Sequence, residues 1–90
     1  MLLNPDHYRQ AITSKCLQVT NTRGLRIKTT TEAGLSKIVS WDYSLDQAPN
    51  HAKALIDHAT ELKWLDKNDY AIGSTRTGYV LVLIPKVIND

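Results

Sequence analysis

Gln47-Ala48-Pro49-Asn50-His51-Ala52-Lys53-Ala54-Leu55-Ile56-Asp57-His58-Ala59-Thr60-Glu61-Leu62-Lys63-Trp64-Leu65 carries the strongest periodic signal in the chain. Ala52, Leu55, Ile56, Ala59, Leu62 and Leu65 recur at i, i+3, i+4, i+7, i+10 and i+13, which lines one face of a helix. Asp46 reads as the N-cap. Pro49 falls in the first turn, where its missing N–H costs nothing. The spacing predicts a helix from Gln47 to Leu65, ended by Asp66-Lys67-Asn68-Asp69, with Trp64 folding back onto the surface that the stripe covers.

That surface is expected from the flanking segments. Downstream, Tyr70 to Ser74 reads as a strand, Thr75-Arg76-Thr77-Gly78 as a turn, and Tyr79 to Ile84 as a strand stopped by Pro85. The last strand is apolar at every position, so it needs cover on both faces and belongs inside a sheet. Upstream, Leu25, Ile27 and Thr29 alternate with Arg26, Lys28 and Thr30, the pattern of a half-buried strand with a basic outer face. Thr31-Glu32-Ala33-Gly34 reads as a hairpin loop, and Leu35 to Trp41 as the returning strand. Two registers fit it. Val39 and Trp41 facing inward with Lys37 at the edge is preferred to Ile38 and Ser40, because Trp41 is the largest apolar group available. Lys15 to Thr20 reads as a weak strand running into the turn residues Thr20-Asn21-Thr22-Arg23-Gly24. Asn4, Pro5 and Asp6 suit a helix start, and Tyr8, Ala11 and Ile12 follow at helical spacing, so Pro5 to Thr13 is expected as a short helix.

The expected fold is therefore α+β: a mainly antiparallel sheet of four to five strands, one long helix packed on a face, and a short N-terminal helix. Its expected core is Leu25, Ile27, Val39, Trp41, Leu55, Ile56, Ala59, Leu62, Val80 and Val82. The second face of the last strand is to be covered by the N-terminal helix or by a second copy, and the short reach of that helix favours a homodimer.

Ninety residues, 42% hydrophobic and 22% charged, make one small globular domain over residues 1–90. No apolar run approaches the roughly 20 residues of a membrane span. Met1-Leu2-Leu3 meets Asn4-Pro5-Asp6 at once, which does not read as a signal peptide. The single cysteine, Cys16, cannot form an internal disulfide and reads as a buried small hydrophobe; a cytoplasmic protein is expected. The net charge of +2 is unevenly spread. Arg9, Lys15, Arg23, Arg26, Lys28 and Lys37 stand against Asp6 and Glu32 in residues 1–40, and acids outnumber bases in residues 41–90. Such an axis either steers an acidic partner or reflects solvated faces on different elements.

Motifs for chemistry are missing. His51 and His58 are two helical turns apart, too far to share a zinc ion easily, so neither a metal nor any other cofactor is expected. They read as exposed helical histidines beside the apolar stripe. No G-x-S-x-G elbow, Walker A loop or G-x-G-x-x-G run is present, and a non-enzymatic protein is expected. The candidate binding residues are Thr20, Asn21, Thr22, Arg23, Arg26 and Lys28. Their bases can neutralise phosphates and their hydroxyl and amide groups can hydrogen-bond them. The same residues suit a solvated strand whose charges protect a sheet edge.

The run Thr20-Asn21-Thr22-Arg23-Gly24-Leu25-Arg26-Ile27-Lys28 resembles the T-N-T-R-G-x-R-I-K run of a family of small proteins encoded on phages, plasmids and other mobile bacterial elements. Trp41-Asp42-Tyr43, Asn50-His51, Trp64 and Gly78-Tyr79-Val80 match its further features, so the resemblance covers most of residues 11–84. Cys16 stands where that family has an aromatic residue, Leu25 where it has a small polar one, and Lys37 where it has an apolar one. The resemblance transfers no activity. Its genetic setting implies an accessory role such as countering a host defence system. The helix-then-hairpin ending is similar, in architecture only, to a small type I-F anti-CRISPR protein. The implied partner is a host protein or ribonucleoprotein complex whose surface is masked. A weak nucleic-acid-binding module using the basic strand 23–28 is the alternative.

Overall fold

The structure, a computed structural model, describes residues 10–66 and 68–85. Three strands come first: β1 (Ala11–Leu17), β2 (Arg26–Thr31) and β3 (Ser36–Ser40). The helix α1 (Gln47–Glu61) and a short 3-10 turn (Trp64–Asp66) follow, and the hairpin β4 (Asn68–Ser74) with β5 (Gly78–Pro85) completes the sheet. All pairings are antiparallel, in the order β3-β2-β1-β5-β4. The apolar run of β5 lies between β1 and β4, inside the sheet as expected. Among the described residues, no helix is long and apolar enough to cross a membrane.

The turns form where their chemistry places them. Gly34 takes φ +88°, open to glycine without penalty, while Thr31 Oγ1 accepts from Leu35 N–H at 3.1 Å to close the β2–β3 loop. In the β4–β5 turn, Thr75 N–H donates to the Gly78 carbonyl at 2.7 Å, and Gly78 N–H donates back to Thr75 Oγ1 at 3.0 Å. Asp46 occupies the N-cap of α1 with extended backbone but makes no side-chain capping bond. The buried Asn50 amide fastens this entry instead. Its oxygen accepts from Asp42 N–H at 2.8 Å, and its nitrogen is shared among the carbonyls of Asp42, Leu45 and Asp46 at 2.9 to 3.1 Å.

The expected N-terminal helix does not include Ala11 to Thr13. These residues open β1, because Ile12, Ser14 and Cys16 alternate toward α1 with period two and Ile12 is fully buried. The rest of that expected helix, Pro5 to Arg9, lies outside the described residues. The long helix also stops earlier than its stripe. Lys63 adopts a left-handed φ of 60°, which ends α1 at Glu61, and the apolar pattern runs on into the 3-10 turn. Trp64 and Leu65 still pack on the core.

The core joins Ile12, Leu55, Ala59, Leu81 and Leu83, flanked by Ile56, Leu62, Trp64, Leu65, Ile72 and Tyr79. Ile27 is fully buried as expected, and Val39 and Trp41 are half-buried with Ile38 exposed, so the preferred register of β3 holds. Val80 and Val82 are the exceptions. They sit opposite Thr13 and Ala11 on the face turned away from α1, and their neighbours Leu81 and Leu83 fill the core in their place. An apolar run without alternation does not reveal which parity faces the helix.

Candidate functional site

The loop joining β1 to β2 closes on itself. Thr20 N–H donates to the Arg23 carbonyl at 2.8 Å, and Arg23 N–H donates to Thr20 Oγ1 at 3.1 Å. This reciprocal pair makes Thr20 the fastener of the turn. Asn21, Thr22 and Arg23 are exposed, and among the described residues no side-chain hydrogen bond ties Asn21 or Arg23 to the fold. Arg26 opens β2 with its Nε–H directed at the Gly24 carbonyl at 3.4 Å.

Arg23 and Arg26 share a cleft with two aromatic residues. Trp41 N–H donates to the Leu25 carbonyl at 3.0 Å, which carries the β2–β3 pairing one step past the strands and brings the Trp41-Asp42-Tyr43 turn beside the loop. Arg23, Gly24, Leu25, Arg26, Ser40, Trp41 and Tyr43 line an open cleft of about 370 Å³. Tyr43 is 74% exposed, so its ring stands free at the cleft wall. Ser44 holds the turn by donating both its N–H and its hydroxyl to Asp42 Oδ1, which lowers the Asp42 carboxyl below its usual range.

Lys28 lies further along the same face of β2, where the register sets it directly opposite Lys15 of β1. Arg26 lies opposite Leu17. The face of β1, β2 and β3 turned away from α1 carries the bases Lys15, Arg26 and Lys28 among hydroxyl residues and the apolar Ala11, Leu17 and exposed Ile38, with no acidic residue. The other layer carries Asp46, Asp57, Glu61 and Asp66 against Lys53 and Lys63, and there Lys37 pairs with Glu61 and holds its carboxyl below the usual range. The uneven charge of the sequence thus becomes an axis from sheet to helix. Of the expected binding residues, the structure brings Arg23 and Arg26 to one cleft and places Lys28 on the adjoining face, while Thr20 serves the loop. Lys15, Trp41 and Tyr43 were not among them. Lys15 joins only through long-range pairing, which a single strand's pattern does not display.

Both helix histidines differ from expectation. His51 and His58 are 1% and 5% exposed, packed beneath the sheet. His51 Nδ1 is 2.7 Å from Ser14 Oγ, and His58 Nδ1 is 2.7 Å from Thr29 Oγ1. Ser14 and Thr29 face each other across β1 and β2, so the two histidines each reach one member of a single cross-strand pair. The small hydroxyls leave room for the rings, and each supplies a polar partner that a buried imidazole needs. His51 Nε2 has none, and its ring lies against Trp41 and Tyr79. A serine hydroxyl on an imidazole is the geometry of a nucleophile and its base; here Ser14 is buried and its hydroxyl also donates to the Tyr79 carbonyl at 3.3 Å.

Burial lowers the proton affinity of both rings; Lys37 lowers that of His58 further, and Glu61 opposes it. The unfolded chain therefore binds protons that the folded chain refuses. Stability is full above about pH 6.5, the ordinary imidazole value, and is lost as pH falls from there toward the depressed folded values. The limiting slope is about 1.4 kcal/mol per pH unit for each ring. Urea unfolding between pH 8 and 5 should show this fall, and His51→Gln with His58→Gln should flatten it; a wild-type midpoint constant over that range would contradict it. No family model matches the sequence, and neither a curated protein nor a solved structure matches it.

Proposed function

We propose that the chain is a small non-enzymatic binding protein that docks a polyanionic surface on a host protein or ribonucleoprotein. The observation that carries this reading is the Lys15–Lys28 pair. Like charges directly opposite on a sheet are destabilising, and no acid of β1, β2 or β3 lies on that face to offset them. A surface that needed only to stay soluble would intersperse both signs. Arg23 and Arg26 extend the basic area, and their guanidiniums offer the bidentate contacts to carboxylate or phosphate that lysine lacks. The resemblance to proteins of mobile elements supports an accessory role, masking part of a host defence assembly.

Retention on a heparin column tests the charge reading. Arg23→Ala with Arg26→Ala, and Lys15→Ala with Lys28→Ala, should each elute at clearly lower salt than the wild type. Their stability should stay within about 1 kcal/mol of the wild type, as for other surface changes. Variants that elute with the wild type would show that these side chains hold no polyanion, and variants that lose several kcal/mol of stability would show that they serve the fold.

A further inference from the structure

We infer that the cleft between the β1–β2 loop and the Trp41–Tyr43 turn seats an unpaired base, so that the polyanion on the basic face is single-stranded nucleic acid. This rests on the polyanion-binding reading above and gives its ligand a class. The carboxylates of an acidic peptide would engage the arginines, while the exposed aromatic ring beside them offers a planar face that a base matches over its whole area. A nucleotide uses both, with its phosphate on guanidinium N–H groups and its base stacked on a ring. Arg23, Arg26 and the exposed Tyr43 share with Trp41 the lining of the cleft, which measures about 370 Å³. That is at the small end of the range for small-molecule sites, and it is open, as a site for one unit of a longer chain must be.

The strand has somewhere to go from there. Arg26 and Lys28 stand on the same face of β2 two residues apart, about 6.6 Å along the strand. Lys15 lies directly across from Lys28. The three cations therefore continue from the cleft across β2 and β1, flanked by Thr13, Thr30 and Ser40 as hydroxyl donors. Intact duplex keeps its bases stacked inside and cannot place one on Tyr43, so the geometry discriminates single strands from double.

Fluorescence anisotropy of labelled 12-mer oligo(dT) and oligo(U), a duplex of equal length, and poly-glutamate tests the inference, each titrated with the whole chain at several salt concentrations. Both single strands should bind more tightly than the duplex, and a difference between them tells DNA from RNA. Tyr43→Ala should weaken single-strand binding by roughly tenfold without changing the melting temperature or the salt slope, and Tyr43→Phe should restore it. Lys15→Ala with Lys28→Ala should instead flatten the log–log salt slope by about 0.7 for each charge removed. Equal binding of duplex and single strand, or indifference to Tyr43→Ala, overturns the cleft inference while the lysine dependence keeps the basic-face reading. Binding of poly-glutamate alone has the same consequence. Absence of binding to every polyanion overturns both.

Discussion

Gly78→Ala should cost about 3 kcal/mol or more, the upper end of what forced overpacking inflicts, and is expected to lower the unfolding midpoint markedly. A β-carbon at this position would lie 1.8 Å from the Ser14 carbonyl oxygen and 2.8 Å from its carbon, with Lys15 Cα at 3.2 Å. These are backbone atoms of the central strand. β1 is paired on both sides, and the Ser14 hydroxyl is engaged by His51 and the Tyr79 carbonyl, so the strand has no slack with which to retreat. Gly73→Ala is the matched control. It lies on β4 with nothing within 4 Å of its would-be β-carbon and should change stability by less than about 1 kcal/mol. Urea unfolding at pH 7.5 compares the two, and a Gly78→Ala midpoint equal to that of Gly73→Ala would mean that the β1–β5 approach is not so close.

Leu55→Ala should remove about 2–5 kcal/mol, a large share of the roughly 5–15 kcal/mol that stabilises a domain. Leu55 is fully buried at the centre of the α1 face, in one cluster with Ile12, Ala59, Leu81 and Leu83. The cluster draws on β1, β5 and the helix at once, so none of the three can shift to fill a cavity without disturbing the others. Ile56→Ala, one position along the helix but only half-buried, should cost clearly less. Thermal unfolding of both variants ranks them, and the opposite ranking would place the helix on the sheet in another rotation.

The features legible in the sequence are those whose signal is local. The stripe of α1, the basic outer face of β2 and the turn at Gly34 each follow from residues within one element. The register of β3 could be chosen because burying Trp41 outweighs burying Ile38. The rest depends on partners far along the chain. His51 and His58 are polar in any local window, and only Ser14 and Thr29, contributed by other strands, make their burial tolerable. The all-apolar β5 offers two equivalent parities, so Val80 and Val82 were expected in the core that Leu81 and Leu83 occupy. Candidate site residues on one segment, Arg23, Arg26 and Lys28, could be named. Lys15 and Tyr43 could not, since neither stands out until the strands and turns are brought together.

The pairing of β1 with β5 has a consequence for how the molecule is made. Ser14 and Tyr79, joined across these strands, are 65 positions apart in the chain. The sheet's central contact thus cannot form until the chain has left the ribosome through β5. Until then β1 has only β2 to pair with, and its other edge stands open. Closing so long a loop carries an entropy penalty that must be met before the core contacts repay it, which places folding toward the slow end for a domain of this size. The interval is when the nascent chain is most exposed to proteases and to pairing with another copy. Once β5 docks, Leu81 and Leu83 complete the core begun by Ile12, Leu55 and Ala59, and strands from both ends of the described chain are paired at the middle of the sheet.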